Sequence, residues 1–188
     1  MDDKGGHPRS ELRLVLGHGA SGTAESMRPH VEGLRARGVD AVAIDLPRGN
    51  AEAAVRVFET RASAADALGG HSYGGRVASL LASRRRFTAL VLFSYPLHRP
   101  GRSDWEARTA HWPHIGCPVL LLSGESDPFA RIALLRLAVQ RLPHAQLVTY
   151  PGVGHGIGPV LEDALDRVAN FIGALPAEPL PEGVRALP

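Results

Sequence analysis

The stretch Gly69-Gly70-His71-Ser72-Tyr73-Gly74-Gly75 places one serine among four glycines. Glycines two positions before and two positions after a serine permit a strand-to-helix turn so sharp that side chains there would clash. Such a turn holds the serine hydroxyl out at the top of a sheet. The chain has 21 glycines among 188 residues, so the motif alone also fits a flexible turn. The elements around it and the residues further along the chain decide between the two interpretations.

Apolar runs of strand length alternate with segments of helical period on both sides of this turn. Continuous apolar strands separated by helices are typical of a parallel sheet that is covered on both faces. The pattern therefore predicts an α/β fold, a three-layer α/β/α sandwich with a mostly parallel six-stranded sheet. The predicted strands are 12–16, 39–44, 65–70, 89–93, 119–123 and 146–150; helices are predicted over 24–37, from 51 onward behind an Asn50 cap, and over 74–85, 132–142 and 159–172, and 94–116 is predicted as a loop.

Composition and charge limit the classes of partner. The net charge is only +2, and the one arginine run, 84–86, falls at a predicted helix C-terminus, where cations suit the helix dipole, so no nucleic-acid partner is predicted. A single cysteine, Cys117, excludes an internal disulfide and favours a reducing, cytoplasmic setting. The polar N-terminus does not fit a signal peptide, and no apolar stretch is long enough to span a membrane.

The chain is predicted to form one domain with two short terminal extensions. Residues 1–11 are expected to be a flexible N-terminus, and residues 12–173 the folded domain. Residues 174–188 contain four prolines and are expected to form an extended tail. The oligomeric state is predicted only as monomer or homodimer.

Three side chains with complementary chemistry fall at predicted strand ends, where open parallel sheets collect their functional residues. Ser72 follows the third strand, Asp127 the fifth and His155 the sixth. Acyl transfer by serine requires a base that takes the hydroxyl proton and a carboxylate that orients this base. The order serine, acid, histidine is that of α/β-hydrolases, and it predicts a catalytic triad.

An oxyanion hole is predicted from two backbone N–H groups. One belongs to Tyr73, which opens the helix after the serine, where the helix dipole also favours negative charge. The other belongs to Ala20 in the glycine-rich loop after the first strand. His18 is expected to fix this loop rather than to take part in the chemistry.

Other interpretations of these residues remain open from the sequence. Asp127, which precedes Pro128, also fits a turn or a helix cap, and His155 also fits an ordinary loop histidine. The histidines of the segment 94–116 match no tight zinc spacing, and no glycine-rich phosphate loop with its lysine is present. No metal and no cofactor are therefore predicted. His98 and Trp105 in this segment are predicted to line the mouth of the pocket and to contact the substrate.

Several motifs together resemble a known family. The motifs are HGASG, IDLP, GGHSYGGRVAS, YPLHRPG, CPVLLLSGESDPF and GVGH, spread from about residue 12 to residue 172. They resemble the small α/β-hydrolase-like family of the testis-expressed protein and the third regulatory subunit of the non-specific-lethal histone acetyltransferase complex. They are more loosely similar to dienelactone hydrolases, which have a cysteine where this chain has Ser72. The resemblance implies a minimal α/β-hydrolase fold, with a six-stranded core and no cap domain.

Two functions follow as hypotheses. The first is a serine hydrolase of carboxylesterase or thioesterase type, which cleaves a small or exposed acyl ester through an acyl-enzyme formed on Ser72. The second is a catalytically idle hydrolase-like module for protein interaction, since some members of the resembled family serve as scaffolds. The sequence does not name the acyl group or the leaving group, and it leaves ester, thioester and amide bonds open.

Overall fold

The sheet of the computed structural model has six strands, and every pairing between neighbours is parallel. The structure describes residues 12–176, so the predicted N-terminus and residues 177–188 of the predicted tail lie outside it. The strands follow the spatial order β2-β1-β3-β4-β5-β6. Their bounds are β1 Arg13–Gly17, β2 Asp40–Ile44, β3 Ala67–His71, β4 Ala89–Phe93, β5 Val119–Gly124 and β6 Ala145–Tyr150.

Within residues 12–176, six helices connect or follow these strands. They are α1 Arg28–Arg35, α2 Ala51–Arg61, α3 Tyr73–Ala82, α4 Trp105–Arg108, α5 Ile132–Val139 and α6 Leu161–Gly173. The predicted cap of α2 is present, because the Asn50 side chain accepts hydrogen bonds from the N–H groups of Glu52 and Ala53. Two predicted helices begin instead as 3₁₀ turns, Ala24–Met27 and Gly158–Val160, and a third such turn is Trp112–His114.

The segment 94–116 is more ordered than the predicted loop. It contains α4 and the 3₁₀ turn Trp112–His114. The ring of Trp112 is fully buried and packs edge-on against Tyr95, with the ring centroids 5.0 Å apart. The Tyr95 hydroxyl donates a hydrogen bond to the Arg108 carbonyl oxygen at 3.0 Å. These contacts fold the segment back onto the sheet, which the sequence pattern did not predict.

Alternating side chains of each central strand supply two separate cores. In β4, Leu90 and Leu92 pack with α2, α3 and α5 on one face, whereas Ala89, Val91 and Phe93 pack with α1 and α6 on the other. Because both faces of the sheet are covered, its central strands are apolar at nearly every position. The predicted three-layer α/β/α sandwich is confirmed, and within residues 12–176 no inserted domain covers the sheet.

Close backbone contacts fix the start of α3 against the sheet. A Cβ atom on Gly74 would overlap the backbone of Gly17 at the end of β1, and one on Gly70 would lie 2.5 Å from the Gly17 carbonyl oxygen. Side chains at these positions would push α3 away from β1 and β3. The glycines around Ser72 are therefore required by packing, and they hold the turn in one place.

Candidate active site

Ser72 lies at a sharp turn between β3 and α3. Its φ of 51° and ψ of −112° are in a region that residues other than glycine rarely adopt, at a cost on the order of 1–3 kcal/mol. Two hydrogen bonds hold this conformation. The Ser72 N–H donates to the Phe93 carbonyl oxygen at 2.8 Å, and its carbonyl oxygen accepts from the Arg76 N–H at 3.0 Å.

A chain of short hydrogen bonds links Ser72, His155 and Asp127. The Ser72 Oγ lies 2.8 Å from His155 Nε2, and His155 Nδ1 lies 2.8 Å from Asp127 Oδ2. The other oxygen of Asp127 accepts a hydrogen bond from the Phe129 N–H at 2.7 Å. Because a carboxylate only accepts, the Nδ1 proton faces Asp127, which leaves Nε2 free to accept the serine proton. The structure thus brings together the three residues predicted as a triad.

Two loops that carry the acid and the histidine pack closely together. A Cβ atom on Gly124, at the end of β5, would overlap the carbonyl groups of Val153 and Gly154. The Ser126 N–H also donates to the Val153 carbonyl oxygen at 2.9 Å. This contact keeps the loop after β5 at a fixed distance from the loop after β6. The distance between Asp127 and His155 is therefore set by backbone packing as well as by their own hydrogen bond.

His18 ties the loop after β1 to the loop after β2. The Leu46 N–H donates to His18 Nε2 at 2.9 Å, so Nδ1 carries the proton and donates to the Gly19 carbonyl oxygen at 2.7 Å. The imidazole is buried, and both of its nitrogens are occupied. These contacts support the expectation that His18 fixes the loop that contains Ala20.

We expect His18→Ala to slow acylation of Ser72 by about 10- to 100-fold. An oxyanion-hole donor contributes about 10²–10³ in rate, and part of this contribution is lost when the N–H of Ala20 is displaced. The substitution also leaves the Leu46 N–H without an acceptor, which costs about 1–3 kcal/mol of the free energy of unfolding. The rate of fluorophosphonate labelling and a urea titration measure the two effects. A labelling rate equal to that of the native chain would contradict the role of His18.

The two residues predicted to supply oxyanion donors lie beside the same cleft. Ala20 and Tyr73 both line the cleft beside Ser72. Within residues 12–176, neither backbone N–H donates to a protein acceptor. Both groups are therefore available to a ligand oxygen, while the Tyr73 hydroxyl is occupied by the Pro47 carbonyl oxygen at 2.9 Å.

The triad opens into a cleft of about 600 Å³ with two different walls. One wall comes from α3 and the segment after β4, which belong to the layer on one face of the sheet. The other comes from α1, α6 and the loop between β6 and α6, on the opposite face. The first wall presents Arg76, Arg99 and Arg108, and the second presents Met27, Ile157 and Leu161.

His98 and Trp105, both predicted to line the mouth of the pocket, lie in different surroundings. His98 lines the cleft, but its nitrogens are both occupied, by the Arg99 carbonyl oxygen at 2.8 Å and the Arg131 N–H at 3.0 Å. Trp105 does not line the cleft. Its ring lies 5.6 Å from the guanidinium carbon of Arg141, because α4 packs against α5. Among residues 12–176, the lining of the cleft therefore does not include Trp105, and its contact with the substrate stays a prediction.

Two further histidines line the cleft beside the triad. Burial lowers the pKa of His30 to about 4, with a smaller contribution from repulsion by His71, so this imidazole is neutral at neutral pH. Burial also lowers the pKa of His71, whose ring centroid lies 5.3 Å from that of His155. The sequence analysis did not identify His30, although its position three residues after the buried Met27 places it on the inner face of α1. Within the part of the chain that the structure describes, no three His, Cys, Asp or Glu side chains are grouped to hold a metal ion.

The sequence matches the family described as alpha/beta hydrolase domain over residues 46–170. The chain therefore belongs to this family. No curated protein matches the chain. The narrower resemblance to the testis-expressed family stays a prediction. None of the helices within residues 12–176 is long and apolar enough to cross a lipid bilayer.

Solved structures with the same fold include the following three. The monoacylglycerol lipase of Paleococcus ferrophilus is 17% identical, with a TM-score of 0.74 over 85% of this chain and 93% of that chain. Est1E of Butyrivibrio proteoclasticus is 18% identical, with a TM-score of 0.70 over 88% of each chain. The dienelactone hydrolase of Anabaena variabilis is 20% identical, with a TM-score of 0.71 over 88% of this chain and 87% of that chain. At these identities the likeness shows the fold alone.

Proposed function

We propose that the chain is a serine hydrolase of the carboxylesterase or thioesterase type. The observation that carries the proposal is the hydrogen-bonded chain from Ser72 through His155 to the buried carboxylate of Asp127. Ser72, at one end of these hydrogen bonds, faces a cleft that is also lined by the two predicted oxyanion donors, Ala20 and Tyr73. Lipases and esterases among the structures of the same fold agree with this class of reaction, and the open, uncapped cleft favours a small or exposed acyl ester.

The arrangement supports a two-step reaction. Ser72 Oγ attacks the acyl carbon while its proton passes to His155 Nε2, and the negative charge on the substrate oxygen is stabilised by the N–H groups of Ala20 and Tyr73. Collapse of the tetrahedral intermediate breaks the bond to the leaving alcohol or thiol, which takes the proton from His155. Water then attacks the acyl-enzyme, gives its proton to His155 and releases the acid, and the proton returns to Ser72.

A fluorophosphonate probe tests the activated serine directly. We expect one adduct in the intact mass of the native chain, and no adduct in Ser72→Ala or His155→Ala, because the hydroxyl reacts only when the imidazole takes its proton. Ser21→Ala is the matched control, since Ser21 also lines the cleft but makes no hydrogen bond with His155 in the part of the chain that the structure describes. It should label as the native chain does.

Two outcomes would contradict the proposal. One is an adduct that persists in Ser72→Ala, which would place the reactive group elsewhere. The other is the absence of any adduct on folded native protein, which would favour the idle interaction module and a search for a binding partner. Labelled protein would next be tested for turnover of short-chain esters and thioesters.

A further inference from the structure

The arginine wall of the cleft has no carboxylate partner. Within residues 12–176, Arg76, Arg99 and Arg108 form no ion pair, whereas Arg37, Arg84 and Arg167 each pair with a carboxylate. Asp104 attracts Arg108 but makes no ion pair with it. Three positive groups therefore face the same cleft without neutralisation.

Backbone contacts hold two of the three guanidinium groups in place but use few of their donors. Arg76 Nη1 donates to the Arg108 carbonyl oxygen at 3.4 Å, and Arg108 Nη1 donates to the Pro96 carbonyl oxygen at 3.3 Å. A guanidinium has five N–H donors, so most donors of both side chains remain available. Burial lowers the pKa of Arg108 most, and the positive charges of Arg76 and Arg99 lower it further. The three guanidinium groups are therefore close enough to repel one another.

The described residues of the facing wall carry no charge. Met27, Ile157 and Leu161 are apolar, and His30 beside them is neutral at neutral pH. Both nitrogens of His30 are buried and have no hydrogen-bond partner among residues 12–176. A ligand that fills the cleft therefore meets an apolar surface on one side of Ser72 and positive charge on the other.

We propose that the substrate carries an anionic oxygen group, a carboxylate or a phosphate, which binds to Arg76, Arg99 and Arg108 while an apolar part of the same molecule lies against Met27, Ile157 and Leu161. Guanidinium groups bind both anions through paired hydrogen bonds. The proposal therefore specifies that the substrate is negatively charged and that its charge lies against the arginine wall. This proposal rests on the proposed function, because the ester bond to be cleaved must lie between the two walls at Ser72.

Pairs of substrates that differ in one group test the charge preference. The carboxylate pair is 4-acetoxybenzoate and 4-methylphenyl acetate, and the phosphate pair is S-acetyl-4′-phosphopantetheine and S-acetylpantetheine. We expect kcat/KM for the anionic member of at least one pair to exceed that of its neutral partner by about tenfold or more, as charged hydrogen bonds commonly provide. The preferred pair identifies the kind of anion. Equal or lower values for both anionic substrates would overturn the proposal.

Arginine variants locate the preference on this wall. Arg99→Gln removes an exposed side chain that makes no side-chain hydrogen bond in the described structure, so it is expected to fold normally, and Arg108→Gln tests a half-buried member. Each substitution should lower the ratio of kcat/KM for the anionic substrate to kcat/KM for the neutral substrate by about 5- to 20-fold. Arg56→Gln removes the same charge from the exposed face of α2 and should leave this ratio unchanged. An equal loss in Arg56→Gln would show a general charge effect and overturn the site.

A binding measurement separates this proposal from the proposed function. The variant Ser72→Ala is titrated calorimetrically with 4-acetoxybenzoate and with S-acetyl-4′-phosphopantetheine, alone and with Arg99→Gln added. Saturable binding that weakens about fivefold or more with Arg99→Gln supports the anion site even if Ser72 never labels with fluorophosphonate. Labelling of Ser72 without binding of either anion would leave the hydrolase in place and overturn the anionic substrate.

Discussion

Replacement of Asp127 by asparagine is expected to lower kcat for an activated ester about 10⁴-fold without unfolding the protein. Asp127 accepts two hydrogen bonds, one from the Phe129 N–H and one from His155 Nδ1. An amide has only one acceptor oxygen. One of the two contacts must therefore change in Asp127→Asn.

The contact to His155 is the one expected to change. If the amide oxygen of the Asp127→Asn side chain still accepts from the Phe129 N–H, the amide NH₂ group faces His155 Nδ1. Nδ1 must then accept a hydrogen bond, so it can no longer carry the proton. The proton then resides on Nε2, which faces the Ser72 hydroxyl and can no longer take its proton. The opposite orientation of the amide would place two donors against each other in a buried site, which costs about 1–3 kcal/mol. A wrong tautomer of this kind lowers kcat by about 10⁴ in serine proteases.

Steady-state hydrolysis of a p-nitrophenyl ester and the rate of fluorophosphonate labelling measure the loss, and circular dichroism with a thermal melt shows whether the fold is retained. Asp166→Asn is the control, because Asp166 is an exposed carboxylate on α6 that pairs with Arg37. Its activity should equal that of the native chain. Activity in folded Asp127→Asn within tenfold of the native value would show that the buried carboxylate does not set the tautomer.

Chain order and glycine spacing predict the centre of the site well. Ser72 depends on local sterics, since glycines on both sides are needed for its turn, and parallel strands bring their carboxyl ends to one edge of the sheet. The sequence therefore predicts that Ser72, Asp127 and His155 come together, and the structure places them within hydrogen-bond distance. Their catalytic roles stay a prediction, which the labelling experiment tests.

The walls of the cleft are less predictable from the sequence. Arg99 and Arg108 lie in the segment 94–116, which has no strong hydrophobic period, and its path depends on distant contacts such as the Tyr95 hydroxyl on the Arg108 carbonyl oxygen. Local patterns predict which residues form strands, but tertiary packing determines the direction in which loop side chains point.

The substitution Gly74→Ala is expected to destabilise the fold by at least about 3 kcal/mol. Gly74 lies inside α3, where alanine would stabilise an isolated helix by about 1 kcal/mol relative to glycine. Here the added methyl group would overlap the carbonyl carbon and oxygen of Gly17, which belong to the backbone of the central strand β1. Neither backbone can move without separating α3 from the sheet, so the steric cost exceeds the gain in helix propensity.

Gly173→Ala is the matched control for this prediction. Gly173 is also helical, as the last residue of α6, but a Cβ atom there meets nothing within 4 Å among the described residues. This substitution should leave the free energy of unfolding unchanged or raise it by up to about 1 kcal/mol. Urea unfolding of both variants measures the difference, and fluorophosphonate labelling of the folded fraction reports whether Ser72 is still presented. Gly74→Ala with native stability and native labelling would mean that α3 does not press against β1, and the close packing that holds the serine turn would then be wrong.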